Sequence, residues 1–523
     1  MNKSIILAAV TVVCASLFAE GNRITWKGGG NTQRWSDGSN WVGGEAPGEK
    51  DIAVIPEDTT AWASHHTEAN GGDLTLITSL AAIDLVATNS VFEMDSQNDN
   101  ELKTGTYTFS TPVMGVGVCK FSNGVSNDRH VSLTADNSAF KGTFYLYRLQ
   151  FWVSHIHALG TTNLVVWAPS NGYHGLWFQV EGTYENQIDA RPGASGVYPT
   201  IGGHNGKQVV IAGRLTNKTG NTICPYGDSG RTTFTGGIDN GTYGWGSCRF
   251  EAAAHVAGDG ILGDTRLYTG HSVYLGAPVK GSFQAAGGTV VCETNDVFKE
   301  GLTIYVNDPG SGKLDLNGYD QAPKSFNFQN MNEATGSSTV ITSATPAKLS
   351  VSGLASASTW YTFWGHIQGK VSLEFTGGNN NAKIPFANSN NTKGELTITN
   401  KGTYEFLSTC SFPNVKRIAI LNGTSTSNTT KLQFRTANIN PGKFELDLNG
   451  AYAIAEVDEG VQLDARTFKV DGKYLAAGVY GSAEAQTAHP DLVDEDHVLA
   501  NLTGLGTVKV ELDGPPGLML LLR

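Results

Sequence analysis

No basic run, no Cys-x-x-Cys pair and, past residue 19, no apolar stretch of the roughly 18 residues needed to cross a bilayer occurs in this chain. Charge is scarce too: 16% of residues are Asp, Glu, Lys or Arg, and acids outnumber bases 48 to 36, for a formal net charge of −12. Such a surface repels phosphate backbones and anionic lipid, so neither nucleic acid nor a membrane surface is an expected partner, and no transmembrane span is expected in the mature chain. The cysteines beyond residue 19, at 119, 224, 248, 292 and 410, lack the Cys/His spacing of a zinc site, and their number is odd. Cys224 and Cys248 are the best-placed pair for a disulfide, and isolated buried thiols are the alternative. Helical periodicity is nearly absent. Only Ser79 to Val86 and Ala252 to Val256 suit a short turn or helix.

Glycine is plentiful, with 64 residues among 523, and Thr, Ser, Asn and β-branched residues crowd the rest. That composition suits strands joined by tight turns. A chain this long exceeds one compact core, so it folds either as several domains or as one repeat structure that grows by stacking. The phrase Leu314-Asp315-Leu316-Asn317-Gly318 returns as Leu446-Asp447-Leu448-Asn449-Gly450, alternating apolar and polar residues into an Asn-Gly turn, as one coil of a stacked β-structure would. Glu395 to Asn400 and Lys416 to Gly423 alternate in the same way.

The first residues combine Lys3, the apolar run Ile5 to Val13 and a small-residue exit at Ala19, which reads as a secretory signal over residues 1–19 and predicts export. From Arg23, Trp26-Lys27-Gly28-Gly29, then Arg34-Trp35-Ser36, Asn40-Trp41, Ala46-Pro47 and Asp51-Ile52-Ala53-Val54-Ile55 place three Trp before a strand. This opening resembles that of the autotransporter-associated β-strand repeat proteins, large bacterial surface or secreted β-helix proteins. Leu133 to Phe144, Ala158-Leu159-Gly160 with Asn163 to Val166, Gly260 to Asp264 and Val297 to Val306 rhyme with the repeat of that family. Thr467 to Lys473, Ala477 to Gly481 and Leu502 to Val510 are similar to its closing segments.

The resemblance implies an all-β fold, a right-handed parallel β-helix (β-solenoid). Residues 20–115 would form the N-terminal capping region and first coils, 116–445 the solenoid body and 446–511 the closing coils. Residues 512–523 would be a short apolar tail, read as a last strand or a sorting signal. At that end the chain departs from the family's autotransporters, which continue into a membrane β-barrel, so self-transport is not expected. The implied role is that of a secreted or cell-surface structural or adhesive protein, outer-membrane associated or free, facing carbohydrate, extracellular matrix or another cell.

Residues that could carry chemistry are sparse. Parallel β-helices include polysaccharide lyases and glycoside hydrolases, the alternative reading here, but pectate-lyase-like Asp clusters and the Asn-Thr-Asp, Asp-Asp and Gly-His-Gly phrases of polygalacturonase-like enzymes are missing. Gly203-His204-Asn205 comes nearest and reads as a turn. Asp494-Glu495-Asp496-His497 reads as a solvated loop, and Asp308, Asp315 and Asp320 as turn and strand-edge groups. His65-His66, His155 with His157, and His174 with His204 are pairs without a third ligand. No Gly-x-Ser-x-Gly elbow occurs, so no catalytic residue, metal site or cofactor is expected. A third architecture, a string of sugar-binding β-sandwiches, would show antiparallel hairpins.

Binding remains. Aromatic residues gather at Tyr145 to Tyr147, Phe151-Trp152, Trp167, Tyr173, Trp177-Phe178 and Trp360 to Trp364, and strand alternation turns half of them inward. Trp152, Trp167 and Trp177 are the expected sugar platform.

Overall fold

A computed structural model describes residues 21–30, 34–64, 73–95, 105–122, 129–169, 175–193, 199–227, 231–242, 248–250, 252–267, 270–299, 304–305, 312–324, 326–327, 339–352, 365–376, 383–387, 389–399, 401–421 and 429–512. The expected signal and nearly all of the apolar tail lie outside these residues, as do His65-His66, Tyr173, His174, Asp308 and Trp360 to Trp364. The chain divides into two compact units, Met1–Gly241 and Thr242–Arg523.

In the first unit, Arg23–Thr25, Ile52–Ile55, Ala82–Leu85 and Val113–Gly115 form one parallel sheet. A second sheet runs from Thr60–Ser64 through Thr143–Tyr147 and Leu164–Ala168 to Ile238–Asp239. A third, of six strands, takes Gly105–Phe109, Arg129–Leu133, Gln150–Val153, Leu176–Phe178, Thr200–Gly203 and Cys224–Gly227 in chain order. Each strand pairs with the strand one coil later, always in parallel. The protein is therefore a β-solenoid of stacked coils, not a string of hairpin-built sandwiches. Sequence periodicity explains the ladder. Val131, Phe151, Leu176 and Ile201 occupy one register column, and all four are buried, so each coil adds an apolar rung to the same core.

An aromatic stack runs through the core of this unit. Trp26, Trp35 and Trp41 are packed together, with Trp35 and Trp41 ring centres 4.7 Å apart, and Trp41 donates its indole N–H to the Trp35 carbonyl at 2.8 Å. Trp35 meets Phe92 at 5.5 Å, and the contacts continue through Phe109 and Phe121 to Phe151. Buried asparagines close the corners between sheets. Asn137 donates to the Ala158 carbonyl at 2.6 Å, Asn163 to Gly142 at 2.8 Å and Asn186 to Leu159 at 2.8 Å, supplying partners to carbonyls that no strand ladder reaches.

The second unit repeats the plan. Its long sheet runs from Ala254–Val256 through Lys313–Asp315, Val340–Val351 and His366–Phe375 to Arg417–Leu421, Glu445–Asn449 and Thr467–Val470. Both copies of the Leu-Asp-Leu-Asn-Gly phrase lie on this sheet, with Leu314, Leu316, Leu446 and Leu448 buried. Gly318, at φ +88°, turns the first copy, and an added Cβ would sit 2.3 Å from Thr345 Oγ1. Lys473–Tyr474 and Gly478–Gly481 pair antiparallel with their neighbours, beside the helix Ala483–Ala488 capped by the Ser482 hydroxyl.

The short helices fall elsewhere than expected. Ala82–Leu85 and Ala254–Val256 are strands, because their alternating residues join register columns, whereas Asp73–Thr78 is helical. No helix among the described residues is long and apolar enough to cross a membrane.

All five described cysteines are buried and none is in a disulfide, so the pairing of Cys224 with Cys248 is not formed. Burial pushes the Cys248 and Cys410 thiols up from 9.0 to about 12, and raises those of Cys119 and Cys292 as well. A thiol whose folded pKa is raised contributes stability that is complete below the unfolded value and is lost as pH climbs toward the folded one. Stability against urea is expected to decline between about pH 9 and 12, less steeply in Cys410→Ala than in the wild type. Before unfolding, the described thiols should not react with an aromatic disulfide reagent at pH 8. Asn186→Ala should cost about 1–3 kcal/mol by the same urea measurement, since it strands a buried carbonyl.

Candidate functional site

On the six-stranded sheet, inward Phe151 and Val153 force Trp152 to the outer face, as inward Leu176 and Phe178 do for Trp177. Trp152 and Trp177 are register partners on successive coils, and both are half-buried. Gln150 shares the outer face with Trp152. One orientation of its amide satisfies its surroundings: Nε2 donates to His130 Nε2 at 2.6 Å, while Oε1 accepts from the indole N–H groups of Trp177 and Trp152 at 3.0 and 3.2 Å. Both indole donors are thus engaged by the protein, and what the rings offer outward is π-surface.

Two imidazoles flank the indoles. His130 lies 4.7 Å from Trp152 between ring centres, and His204 lies 5.2 Å from Trp177 and 6.1 Å from Trp152. The four rings come from four successive coils and gather in one cluster, in which His204 meets both indoles. Beside them runs a polar row in which Ser132 and Ser154 share a hydrogen bond of 2.9 Å and Ser154 donates to Gln179 Oε1 at 3.0 Å. Gly175 shapes the strip from below. An added Cβ there would lie 2.2 Å from Trp177 Nε1 and 2.8 Å from Cδ1, so the indole occupies the volume that a side chain at 175 would take. The ring lies down along its own strand.

Trp167 does not belong to this strip. It is fully buried on a different sheet, in register with Leu146 and Ala190, whose column faces the core, and small Ala190 leaves room for its ring. This corrects the expected three-tryptophan platform, since a ring inside the core cannot meet a sugar. His130, Gln150 and His204 were missed as members. The i, i+2 spacing of Gln150 and Trp152, and of Gly175 and Trp177, is the signal that places each pair on one face.

The other candidates resolve into structural groups. His155 and His157 sit in a turn, where His155 Nδ1 accepts from the His157 backbone N–H at 3.1 Å. Asp494, Asp496 and His497 bring ligating atoms within 4.8 Å of one another on an exposed 3₁₀ turn, the solvated loop expected there. A cleft of about 430 Å³ in the second unit is walled by Pro346 and lined by Asp320, Lys348, Glu374 and Glu395. Glu374 accepts from the Ser350 hydroxyl at 2.7 Å, which with Lys348 holds its carboxyl below the usual range. Glu395 is paired with Arg417 at 3.4 Å, and Asp320 accepts from the Lys348 backbone N–H at 2.7 Å. Glu374 is thus held ionised, whereas glycosidic cleavage needs one carboxyl held protonated.

No family model, curated protein or solved structure matches the chain. The aromatic strip therefore rests on its own geometry. Gly175→Ala is expected to displace the Trp177 ring and shift tryptophan emission, with the far-ultraviolet β signature unchanged.

Proposed function

We propose that this protein is an exported, surface-displayed β-solenoid that adheres to carbohydrate without turning it over. The observation that carries the reading is the pair of adjacent indoles, Trp152 and Trp177, held on an outer sheet face with their N–H groups satisfied by one amide oxygen. Sugar rings present C–H faces that stack on such surfaces and hydroxyls that bond to amides and hydroxyls at the edge, the roles open to Gln179 and Ser154. The signal-like residues 1–19 support export. The resemblance of the opening and closing segments to autotransporter-associated β-strand repeat proteins supports display at a bacterial surface.

A glycan array probed with the purified protein, run beside a reducing-sugar release assay, tests this reading. Binding without release is expected. The variant with Trp152→Ala and Trp177→Ala together should lose at least about tenfold in affinity while keeping its circular dichroism, because two stacking contacts are removed from an outer face. Release of reducing ends, or binding that ignores both substitutions, would refute it.

A further inference from the structure

Three hydrogen-bonding demands meet at the Gln150 amide. Its nitrogen donates to His130 Nε2 at 2.6 Å, and its oxygen accepts from the indole N–H groups of Trp177 and Trp152 at 3.0 and 3.2 Å. Gln150 is the register partner of His130, and Trp152 that of Trp177, so these contacts join three successive coils. An indole nitrogen can only donate, so the two tryptophans require the amide oxygen. That leaves the NH2 group for His130. A ring nitrogen that accepts from it must carry a lone pair, which Nε2 has only while the imidazole is neutral with its proton on Nδ1.

Protonation removes that lone pair. Both nitrogens of an imidazolium donate, so Nε2 would face the amide NH2 at 2.6 Å as donor against donor. Turning the amide over answers His130 with an oxygen but sets the NH2 group against both indole N–H groups. No orientation then satisfies all three partners. A hydrogen bond from a charged donor is roughly twice as strong as a neutral one, so the single bond gained at His130 offsets the two lost at the indoles. His130, Gln150, Trp152 and Trp177 are all half-buried, so water can deliver the proton and receive the freed N–H groups.

The register positions around His130 carry little else that titrates. Ser132 follows it on the outer face of its own strand, Thr106 and Thr108 hold the matching positions one coil earlier, and Gln150 and Trp152 hold those one coil later. Arg129 and Tyr107 stand at the alternate positions, opposite Gly105 and Val131. His204, three coils on, meets both indoles.

We infer that Gln150 is a proton-controlled latch: with His130 neutral it ties both indoles, and protonation of His130 turns the amide over and releases them. For the carbohydrate binding proposed above, on which this consequence rests, the stacking pair is set while His130 is neutral and loosened in acid. Binding that needs the tied indoles is complete above the titration of the imidazole and lost as pH falls through it. By linkage, a bound glycan favours the neutral ring. His130 and Gln150 are positioning residues that act through the indoles.

Indole N–H resonances and tryptophan emission of the full-length protein, followed from about pH 8 to about pH 5, test the latch without any glycan, while far-ultraviolet circular dichroism at each pH checks that the fold holds. Two indole signals are expected to move together on acidification. In His130→Gln, whose amide oxygen accepts from Gln150 but does not titrate, they should keep their neutral-pH positions. In Gln150→Glu the carboxylate accepts from the indoles and from the imidazolium alike, so acid release should vanish there too. His204→Gln should leave the response in place. Indole signals that ignore acid in the wild type, that still move in His130→Gln, or that stop moving in His204→Gln overturn the latch, and carbohydrate binding then stands or falls on the glycan array alone. Affinity for a glycan that the array identifies should fall at least about threefold over the same pH range in the wild type and stay level in His130→Gln. Equal affinity at both ends of the range in the wild type overturns the coupling to binding.

Discussion

Parallel strands one coil apart have no hairpin between them to set their register, so alignment depends on inward side chains meeting the same column on every turn. In the first unit aromatics from two sheets fill the core between such columns at its start: Trp35, Phe92, Phe109, Phe121 and Phe151 are in contact one after another. A slip of one residue in any strand would turn its apolar set outward and bring polar groups into the core. Each such ring removes roughly 1.5–3 kcal/mol of apolar exposure from water, so register is held by several contacts at once. The buried asparagines add a second restraint, because a carboxamide bonded to a carbonyl of the preceding coil fits in one alignment only.

The outer face inherits this constraint. Once Phe151 is committed to the stack, strand alternation leaves Gln150 and Trp152 no choice of direction, and the parallel register with Leu176 places Trp177 beside Trp152. The backbone positions that carry the indoles are thus set by the hydrogen-bond ladder itself. A loop-built site would need its own means of rigidity, whereas this one borrows rigidity from the core beneath it. Gly175 completes the arrangement by its lack of a side chain, and Gln150 by uniting two donors from different coils on one oxygen.

Much of the fold was legible in the sequence. The two Leu-Asp-Leu-Asn-Gly phrases announced coils of one kind, and both lie on the long sheet of the second unit. The direction of individual tryptophans was harder to read. Leu164-Val165-Val166-Trp167 is apolar throughout, so period-two reasoning has nothing to count, and only the register with Leu146 and Ala190 reveals that Trp167 points inward. Gln150-Phe151-Trp152-Val153 is scarcely less ambiguous until the buried neighbours of Phe151 are known. The helix Asp73–Thr78 was missed for a related reason: Asp73 accepts from the Ser36 backbone N–H at 2.9 Å, a contact across the fold that no local propensity encodes. Gln150 was hidden because its importance lies in meeting His130 and Trp177, which come from the preceding and following coils.

The charges of the second unit are tied together along its stack of coils. Arg417 stands among Glu395, Glu445 and Asp447, and Arg435 pairs with Glu405 and Asp458, so acids that a net charge of −12 would otherwise set against one another are bridged from coil to coil. Those ion pairs reach from one coil to the next, so they add to the register restraint set by the core beneath them. The aromatic strip, on the carbohydrate-binding reading proposed above, depends on stacking instead. Two stacking contacts contribute about 0.5–1.5 kcal/mol each beyond the area they bury, too little for tight capture of a single short sugar. On that proposed reading a polymer changes the arithmetic, because it presents many equivalent segments, any of which can engage the strip, and each further copy of the protein that meets the same chain adds to the hold.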